Sequence, residues 1–302
     1  MKRFVSVGEC MVEMSGGEDG QYRLGYAGDT LNTAWYARAR LGDDWDVDYA
    51  TALGDDLYSQ QMVDFLAEAG IGIGHIQKLP GKRPGLYLIH QADGDRHFTY
   101  WRGQSAARSM ADYPPALNDA LAGADIAYFS GISLAILPPR GRGKLMKAID
   151  LARSGGARIA FDPNERPALW TSTRVMGSTI TAAAVLADVV LPTFPDEAAL
   201  FGDASPQAVA QRYLSWGAEE VVVKNGAEPA FVASRESEGW VAPKPGAVSI
   251  DPTGAGDSFN GAYLAARAQG ASPLEAAEMA HGLRRRLRAG WRHRRGRRDR
   301  HR

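Results

Sequence analysis

Asp251 to Gly261 reads DPTGAGDSFNG, and this stretch decides how the rest of the chain is read. An extended run, Ala247–Ile250, precedes it, and an apolar helical pattern, Ala262–Ala266, follows. Gly254, Ala255 and Gly256 therefore stand where a loop enters a helix. Small residues there let backbone N–H groups approach a ligand closely, and the helix N-terminus adds partial positive charge. Together they make an anion site suited to phosphate. Asp257 falls in the first turn of the same helix. A carboxylate beside a phosphate cradle suits a group that takes a proton from an attacking hydroxyl. Helix capping also favours Asp and Ser near helix starts, but it does not call for Gly-Ala-Gly directly before the Asp.

Outward from this motif, strand-like and helix-like segments alternate. Phe4–Val7, Ile126–Ser130, Ala157–Phe161 and Val221–Lys224 read as strands, and Val185–Leu191 reads as a helix end followed by a strand. Thr30–Leu41, Leu57–Ala69, Gly143–Ser154 and Pro206–Trp216 read as helices, and another starts at Pro273. This order predicts an α/β fold with a mostly parallel sheet covered by helices on both faces. Ligands in such sheets gather at the carboxyl ends of the strands. Ser234–Gly246 is polar and Pro-rich and reads as a loop.

One segment departs from the alternation. Leu86–His90 and His97–Trp101 flank Asp93-Gly94, a strong hairpin signal. A two-residue turn sets Ala92 opposite Asp95, His90 opposite His97 and Tyr87 opposite Tyr100. Arg102 then shares a face with Tyr100 and Phe98. A lone hairpin is marginal, so it is expected to join strand-like residues near Val12 and Tyr22–Leu24 in a small sheet, about 9–26 and 72–103, lying over the main domain as a lid. The two tyrosines also serve as a stabilising cross-strand pair under this pattern.

The 302 residues suffice for one large α/β domain, and the 45% hydrophobic fraction is that of a globular protein. A single cysteine, Cys10, excludes an intramolecular disulfide and fits a reducing compartment. The N-terminus lacks the features of a signal peptide and no apolar run is long enough to span a membrane, so a cytoplasmic protein without a membrane partner is expected. The formal net charge of zero hides an asymmetry. Leu283–Arg302 holds eleven Arg against one Asp, a +10 tail on a −10 body. An acidic body does not suggest nucleic acid as a partner. After Leu283 no apolar stripe remains to pack on a core, and like charges at that density favour disorder and bind polyanions. A basic arm, a solvated extension and a shifted reading frame all fit the tail. Under the last, the native end of the fold is replaced and the chain becomes a catalytically impaired or purely binding protein.

On these motifs the chain resembles the ribokinase family of carbohydrate kinases, the PfkB type. The matching segments are GAGD at Gly254–Asp257 and AGDTLN at Ala27–Asn32, and the likeness runs from about Lys2 to His281. Within the family it looks most like the 2-keto-3-deoxygluconate kinases, through the strands YLIH and FTYWR and the segments FDPNERPALW and LPTFPDEAALFG. The resemblance implies a three-layer ribokinase-like fold, with ATP and Mg2+ as cofactors. It implies that Gly28, Asp29 and Asn32 contact sugar hydroxyls, and that Tyr87, Tyr100 and Arg102 cover the sugar from the lid. Arg166 would hold the acid end of the substrate or the moving phosphate. Asp257 would be the catalytic base, with Gly254, Ala255 and Gly256 as the anion hole. Lys224, Asn225, Gly226 and Thr253 would lie near the nucleotide.

Two points stay open at this level. Arg is the side chain suited to bidentate carboxylate or phosphate recognition, so Arg102 and Arg166 favour a sugar acid. A neutral-sugar kinase such as a fructokinase needs only partners like Asp29 and Asn32. Family members commonly carry Asn-x-x-Glu after a strand, and here Phe194 stands at the Asn and Glu197 at the Glu. Glu197 is thus either a magnesium contact or a first-turn helix acid. An exposed sheet edge on the lid invites pairing with a second copy.

Overall fold

The structure, a computed structural model, describes residues 1–16, 20–92, 95–243 and 254–281. Among them the strands are β1 (Lys2–Val7), β2 (Met11–Gly16), β3 (Tyr22–Ala27), β4 (Trp45–Leu53), β5 (Ile76–Lys78), β6 (Gly85–Ala92), β7 (Asp95–Trp101), β8 (Ile126–Ser130), β9 (Arg158–Asp162), β10 (Val189–Val190), β11 (Glu220–Val223), β12 (Ala230–Ser234) and β13 (Glu238–Val241). The helices are α1 (Asp29–Arg38), α2 (Leu57–Glu68), α3 (Pro114–Leu121), α4 (Gly131–Ala135), α5 (Pro139–Ser154), α6 (Thr173–Ala184), α7 (Phe194–Phe201), α8 (Pro206–Ser215), α9 (Ala255–Ala268) and α10 (Pro273–His281). The run Ala247–Ile250, Thr253, the hairpin tip Asp93-Gly94 and the Arg-rich tail lie outside the described residues.

Nine strands make one sheet, in the order β13-β12-β11-β10-β9-β8-β1-β4-β5. Every neighbouring pair from β11 to β5 is parallel, and β12 and β13 return antiparallel at one edge. The alternation of side chains along each strand feeds two separate cores. On β8, Ile126 and Tyr128 face the core that holds Leu31, Met62, Phe259 and Ala276 of α1, α2, α9 and α10. Ala127 and Phe129 face the other, with Leu117, Leu145, Ile180 and Val209 of α3, α5, α6 and α8. At roughly 1.5–3 kcal/mol for each fully buried Leu, Ile or Phe, the sheet is held by many such contacts rather than by any one. This is the three-layer α/β architecture expected.

The Ser234–Gly246 loop is a correction. Its middle, Glu238–Val241, forms β13 and pairs with β12, with Phe231 opposite Trp240. Those rings lie 5.0 Å apart, so one cross-strand aromatic contact holds a strand that composition had hidden. Helix α5 also starts four residues earlier than expected, with Pro139 at its first position, where a missing N–H does no harm.

A second sheet has the order β3-β2-β6-β7. Its strands β6 and β7 pair in the expected register, with Tyr87 opposite Tyr100, His90 opposite His97 and Ala92 opposite Asp95. Strand β2 runs parallel to β6 and antiparallel to β3, which brings Val12 and Tyr22–Leu24 into the same sheet.

Candidate active site

The carboxyl ends of β9 and β11 meet the start of α9 and the start of α1. Gly254 caps α9 with φ 73°, a left-handed conformation that favours glycine. A Cβ there would also sit 3.2 Å from Asn32 Nδ2, so backbone and crowding select glycine together. Further along, a Cβ on Gly261 would lie 2.3 Å from the Thr33 carbonyl oxygen. The two helix backbones can therefore touch, and this draws Asn32 of α1 onto Asp257 of α9. Asn32 Nδ2 donates to Asp257 Oδ2 at 2.9 Å, and Thr33 Oγ1 donates to the Asp257 carbonyl at 3.3 Å. Asp257 keeps some contact with solvent, yet protein surrounds its carboxyl. That desolvation, and next the negative charge of Asp29, push the carboxyl up to about 7, while the Asn32 bond acts the other way.

Asp29 stands at the first position of α1, directly after Gly28. Its Oδ2 accepts from Asn164 Nδ2 at 2.8 Å. Asn164 has φ 37°, a conformation Asn tolerates better than most residues, and its backbone N–H donates to Asp162 Oδ1 at 3.0 Å. Asp162 Oδ2 in turn accepts from Lys224 Nζ at 2.7 Å and from Asn260 Nδ2 at 2.6 Å. A continuous polar chain thus runs from α1 through the end of β9 to α9.

The sequence-predicted residues fall into two groups. Gly28, Asp29, Asn32, Gly254, Ala255, Gly256, Asp257 and Lys224 converge on this floor. Tyr87, Tyr100 and Arg102 belong to the second sheet. The Tyr87 and Tyr100 rings are stacked with centroids 5.6 Å apart. Tyr87 is buried and its hydroxyl donates to Glu13, whereas Tyr100 is half exposed. Tyr87 also feels the charge of Asp257, although burial and Glu13 weigh more on its hydroxyl.

Arg102 differs from expectation. It lies just past β7 with its guanidinium 6.0 Å from the Tyr100 ring, and it forms an ion pair with Glu9. Glu9 is buried and also accepts from the Ser105 hydroxyl, so the Arg102 charge is neutralised within the fold. Arg166 is exposed and donates to the Glu165 carbonyl at 2.7 Å. Asn225 and Gly226 form the turn between β11 and β12.

Glu197, left open between a magnesium contact and a first-turn helix acid, is engaged within the fold. Its side chain is fully buried, accepts from Tyr213 Oη at 2.7 Å and pairs with Arg212 at 2.6 Å. A carboxylate so engaged has its negative charge balanced by Arg212 within the fold. Its neighbour Asp196 lies one helical position away, on another face of α7. Asp196 is half-buried and lies in the field of Arg166, Asp162 and Lys224; its carboxyl is raised, chiefly by burial. Among the described residues no three His, Cys, Asp or Glu side chains cluster to hold a metal.

Sequence reasoning missed Glu9, Asp162, Asn164, Asp196 and Asn260. Two of them left a signal. Asp162 follows the apolar run Ile159–Phe161 at the end of a strand, and Asn260 follows Asp257 by three positions, on the same face of a helix.

The arrangement offers backbone donors at a helix start, a carboxyl able to change protonation near neutrality, and a buried cation beneath both. Such a set suits transfer of an anionic group to a hydroxyl. Comparison with known proteins points the same way. The model of the pfkB family carbohydrate kinase matches residues 1–283. The chain is 37% identical over 287 residues to a 2-dehydro-3-deoxygluconokinase of Dickeya dadantii, covering 93% of this chain and 92% of that one. Among solved structures, a PfkB protein from Polaromonas sp. JS666 superposes with a TM-score of 0.85 at 28% identity, covering 96% of this chain and 97% of that one. A putative ribokinase II from E. coli, in complex with ATP and Mg2+, superposes with a TM-score of 0.82 at 25% identity, covering 94% and 91%. No helix among the described residues is long and apolar enough to cross a membrane.

Proposed function

This chain belongs to the pfkB family of carbohydrate kinases, and from that premise we propose that it transfers the γ-phosphoryl group of ATP to the primary hydroxyl of 2-keto-3-deoxygluconate. The observation that carries the reading is the start of α9, where Gly254–Gly256 present backbone N–H groups directly before Asp257. Asp257 orients the attacking hydroxyl and takes its proton. The N–H groups meet the charge on the moving phosphoryl group. Asp29 and Asn32 hold sugar hydroxyls, and Asn164 and Asp257 fix the rotamers of those two side chains. Arg166, exposed beside the floor, receives the substrate carboxylate. The second sheet acts as a lid, with Tyr87 and Tyr100 as its inner face, and excludes water that would compete as acceptor. Asn225 and Gly226 line the nucleotide side.

Magnesium, when bound with the nucleotide, neutralises phosphate charge. The side chains present fit an ion held chiefly by phosphate oxygens and water, with Asp196 as the acid available to it.

One observation favours a second reading. Arg102 is already paired with Glu9, so recognition of an acid rests on Arg166. A neutral ketose such as fructose would not need either. ADP release coupled to oxidation of a nicotinamide reporter, with ATP, magnesium and separately the keto-deoxy acid, fructose or ribose, decides between them. Turnover on the acid at a kcat/KM at least about tenfold above fructose, a discrimination of roughly 1.4 kcal/mol, is expected. Preference for fructose would assign the site to neutral sugars.

A further inference from the structure

Strand β9 ends in Asp162, and Lys224 stands one residue past the end of β11. Their side chains meet at 2.7 Å beneath the first turns of α9. Asn260, on α9 itself, closes a triangle. Its Nδ2 donates to Asp162 Oδ2 at 2.6 Å and its Oδ1 accepts from Lys224 Nζ at 3.2 Å. The same amide reaches the Tyr128 hydroxyl at 3.3 Å. A Cβ built on Gly256 would be 3.6 Å from Lys224 Nζ, so the ammonium lies against the backbone of the glycine turn. Asn260 is fully buried, and Asp162 and Lys224 nearly so.

A buried ion pair is a poor way to stabilise a core. Desolvation of both charges offsets most of their attraction, and apolar side chains of similar volume often serve the fold as well or better. What the pair does supply is a fixed cation at one place. We propose that Asp162 and Asn260 are positioning residues for phosphoryl transfer that act through Lys224: they hold its ammonium against the start of α9, where it fixes the Gly254–Gly256 donors and sets a positive charge beneath Asp257 and the moving phosphoryl group. The inference rests on the kinase reading above.

The groups around Asp257 make the idea testable without turnover. Asp29 and Asn32 face it from α1, Asp162 from the end of β9, Lys224 from beyond β11, Tyr87 from β6 and Tyr128 from β8. Lys224 is the cation of this set and lowers the proton affinity of Asp257, whereas Asp162 raises it. Removing one or the other must therefore move Asp257 in opposite directions. A general loosening of the site would move it the same way in both variants.

The test uses the full chain with Lys224→Met, Asp162→Asn and Asn260→Ala. The Asp257 carboxyl is titrated by 13C NMR without nucleotide, its resonance assigned with Asp257→Asn. The midpoint should rise from about 7 in Lys224→Met and fall in Asp162→Asn. In the coupled assay, Lys224→Met should lower kcat by about a hundredfold and Asn260→Ala by about tenfold, with sugar KM changed less than about threefold, as expected for lost preorganisation rather than lost binding. If Lys224→Met does not fold, Asp162→Asn decides by its midpoint alone. Midpoints that stay put or move together in folded protein would overturn the proposal, as would unchanged kcat in Asn260→Ala for that residue's part. A chain without turnover on any sugar that still shows the opposed midpoints would fail the kinase reading and keep the charge arrangement.

Discussion

The floor and the second sheet treat their polar and aromatic side chains in different ways. On the floor, Asp29, Asp162, Asp257, Asn32, Asn164, Asn260 and Lys224 each have a partner within the protein. Their geometry is set before any ligand arrives, which is what charge stabilisation in a transition state requires. On the second sheet, Phe98, Tyr100 and Trp101 are 40%, 51% and 55% exposed. Large aromatic faces left in water on one sheet signal a surface that is completed by something else. If, as proposed above, the floor serves chemistry and the sheet recognition, substitutions in the two should separate kcat from KM.

The largest effect belongs to the floor. Asp257→Asn keeps the shape and the Asn32 contact but cannot take a proton. It should lower kcat by about a thousandfold, the middle of the range for general-base loss, with sugar KM little changed. Near-normal turnover in that variant would refute the role given to Asp257. Arg166→Ala comes next and tests the boundary between the regions. Losing a charge-assisted bond of about 1.5–3 kcal/mol should raise KM for the sugar acid by roughly tenfold to a hundredfold. KM for fructose should stay within about twofold, because a neutral sugar has no carboxylate to lose. Equal losses for both sugars would mean that Arg166 serves the phosphate instead.

How far the sequence reaches differs between the regions for a physical reason. The register of β6 and β7 follows from a two-residue turn and a period of two, both local, so Tyr87 opposite Tyr100 could be read directly. Gly254–Asp257 was legible for the same reason, as a turn running into a helix. The partners of those residues were not. Asp162 and Lys224 are 62 positions apart and meet only because β9 and β11 flank β10 in the sheet. Arg102 and Glu9 are 93 apart, so the ion pair that the guanidinium makes within the fold could not be read from spacing. Glu197 shows the limit at shortest range. One helical position, about 100° of rotation, separates an acid buried on Arg212 from Asp196 beside the floor. Spacing alone could not tell which of the two is buried on Arg212.

The pH profile sharpens the view of the floor as preorganised but strained. Burial and Asp29 raise Asp257 to about 7, and a base must be ionised to act. Log kcat/KM should thus fall by about one unit per pH unit below 7. The sign for stability is opposite. A carboxyl whose folded value lies above its unfolded 3.8 contributes stability that is complete below about 4 and is lost as pH rises through about 7. Glu165, raised to about 10 chiefly by burial, tilts stability the same way, so the wild type alone would not isolate Asp257. The difference in thermal midpoint between wild type and Asp257→Asn should therefore shift in favour of the variant between pH 4 and pH 8. A constant difference would place an ordinary carboxyl at 257.

The smallest expected effect tests the second sheet. Tyr100 is half exposed and stacked on Tyr87, which is itself locked to Glu13. If the pair only braces the hairpin, Tyr100→Ala should cost about 0.2–1 kcal/mol of stability, the worth of a cross-strand pair, and leave kinetics alone. If the ring also covers bound sugar, KM should rise about threefold to tenfold, since an aromatic contact is worth roughly 0.5–1.5 kcal/mol beyond its area, while kcat falls less. Tyr100→Phe separates the two, because it keeps the stack and the apolar face and loses only the hydroxyl. Wild-type KM in Tyr100→Phe with a raised KM in Tyr100→Ala would identify the ring face as the recognition element. A drop in kcat at constant KM in both would break the division drawn here, since it would put a residue of the second sheet into the chemistry of the floor.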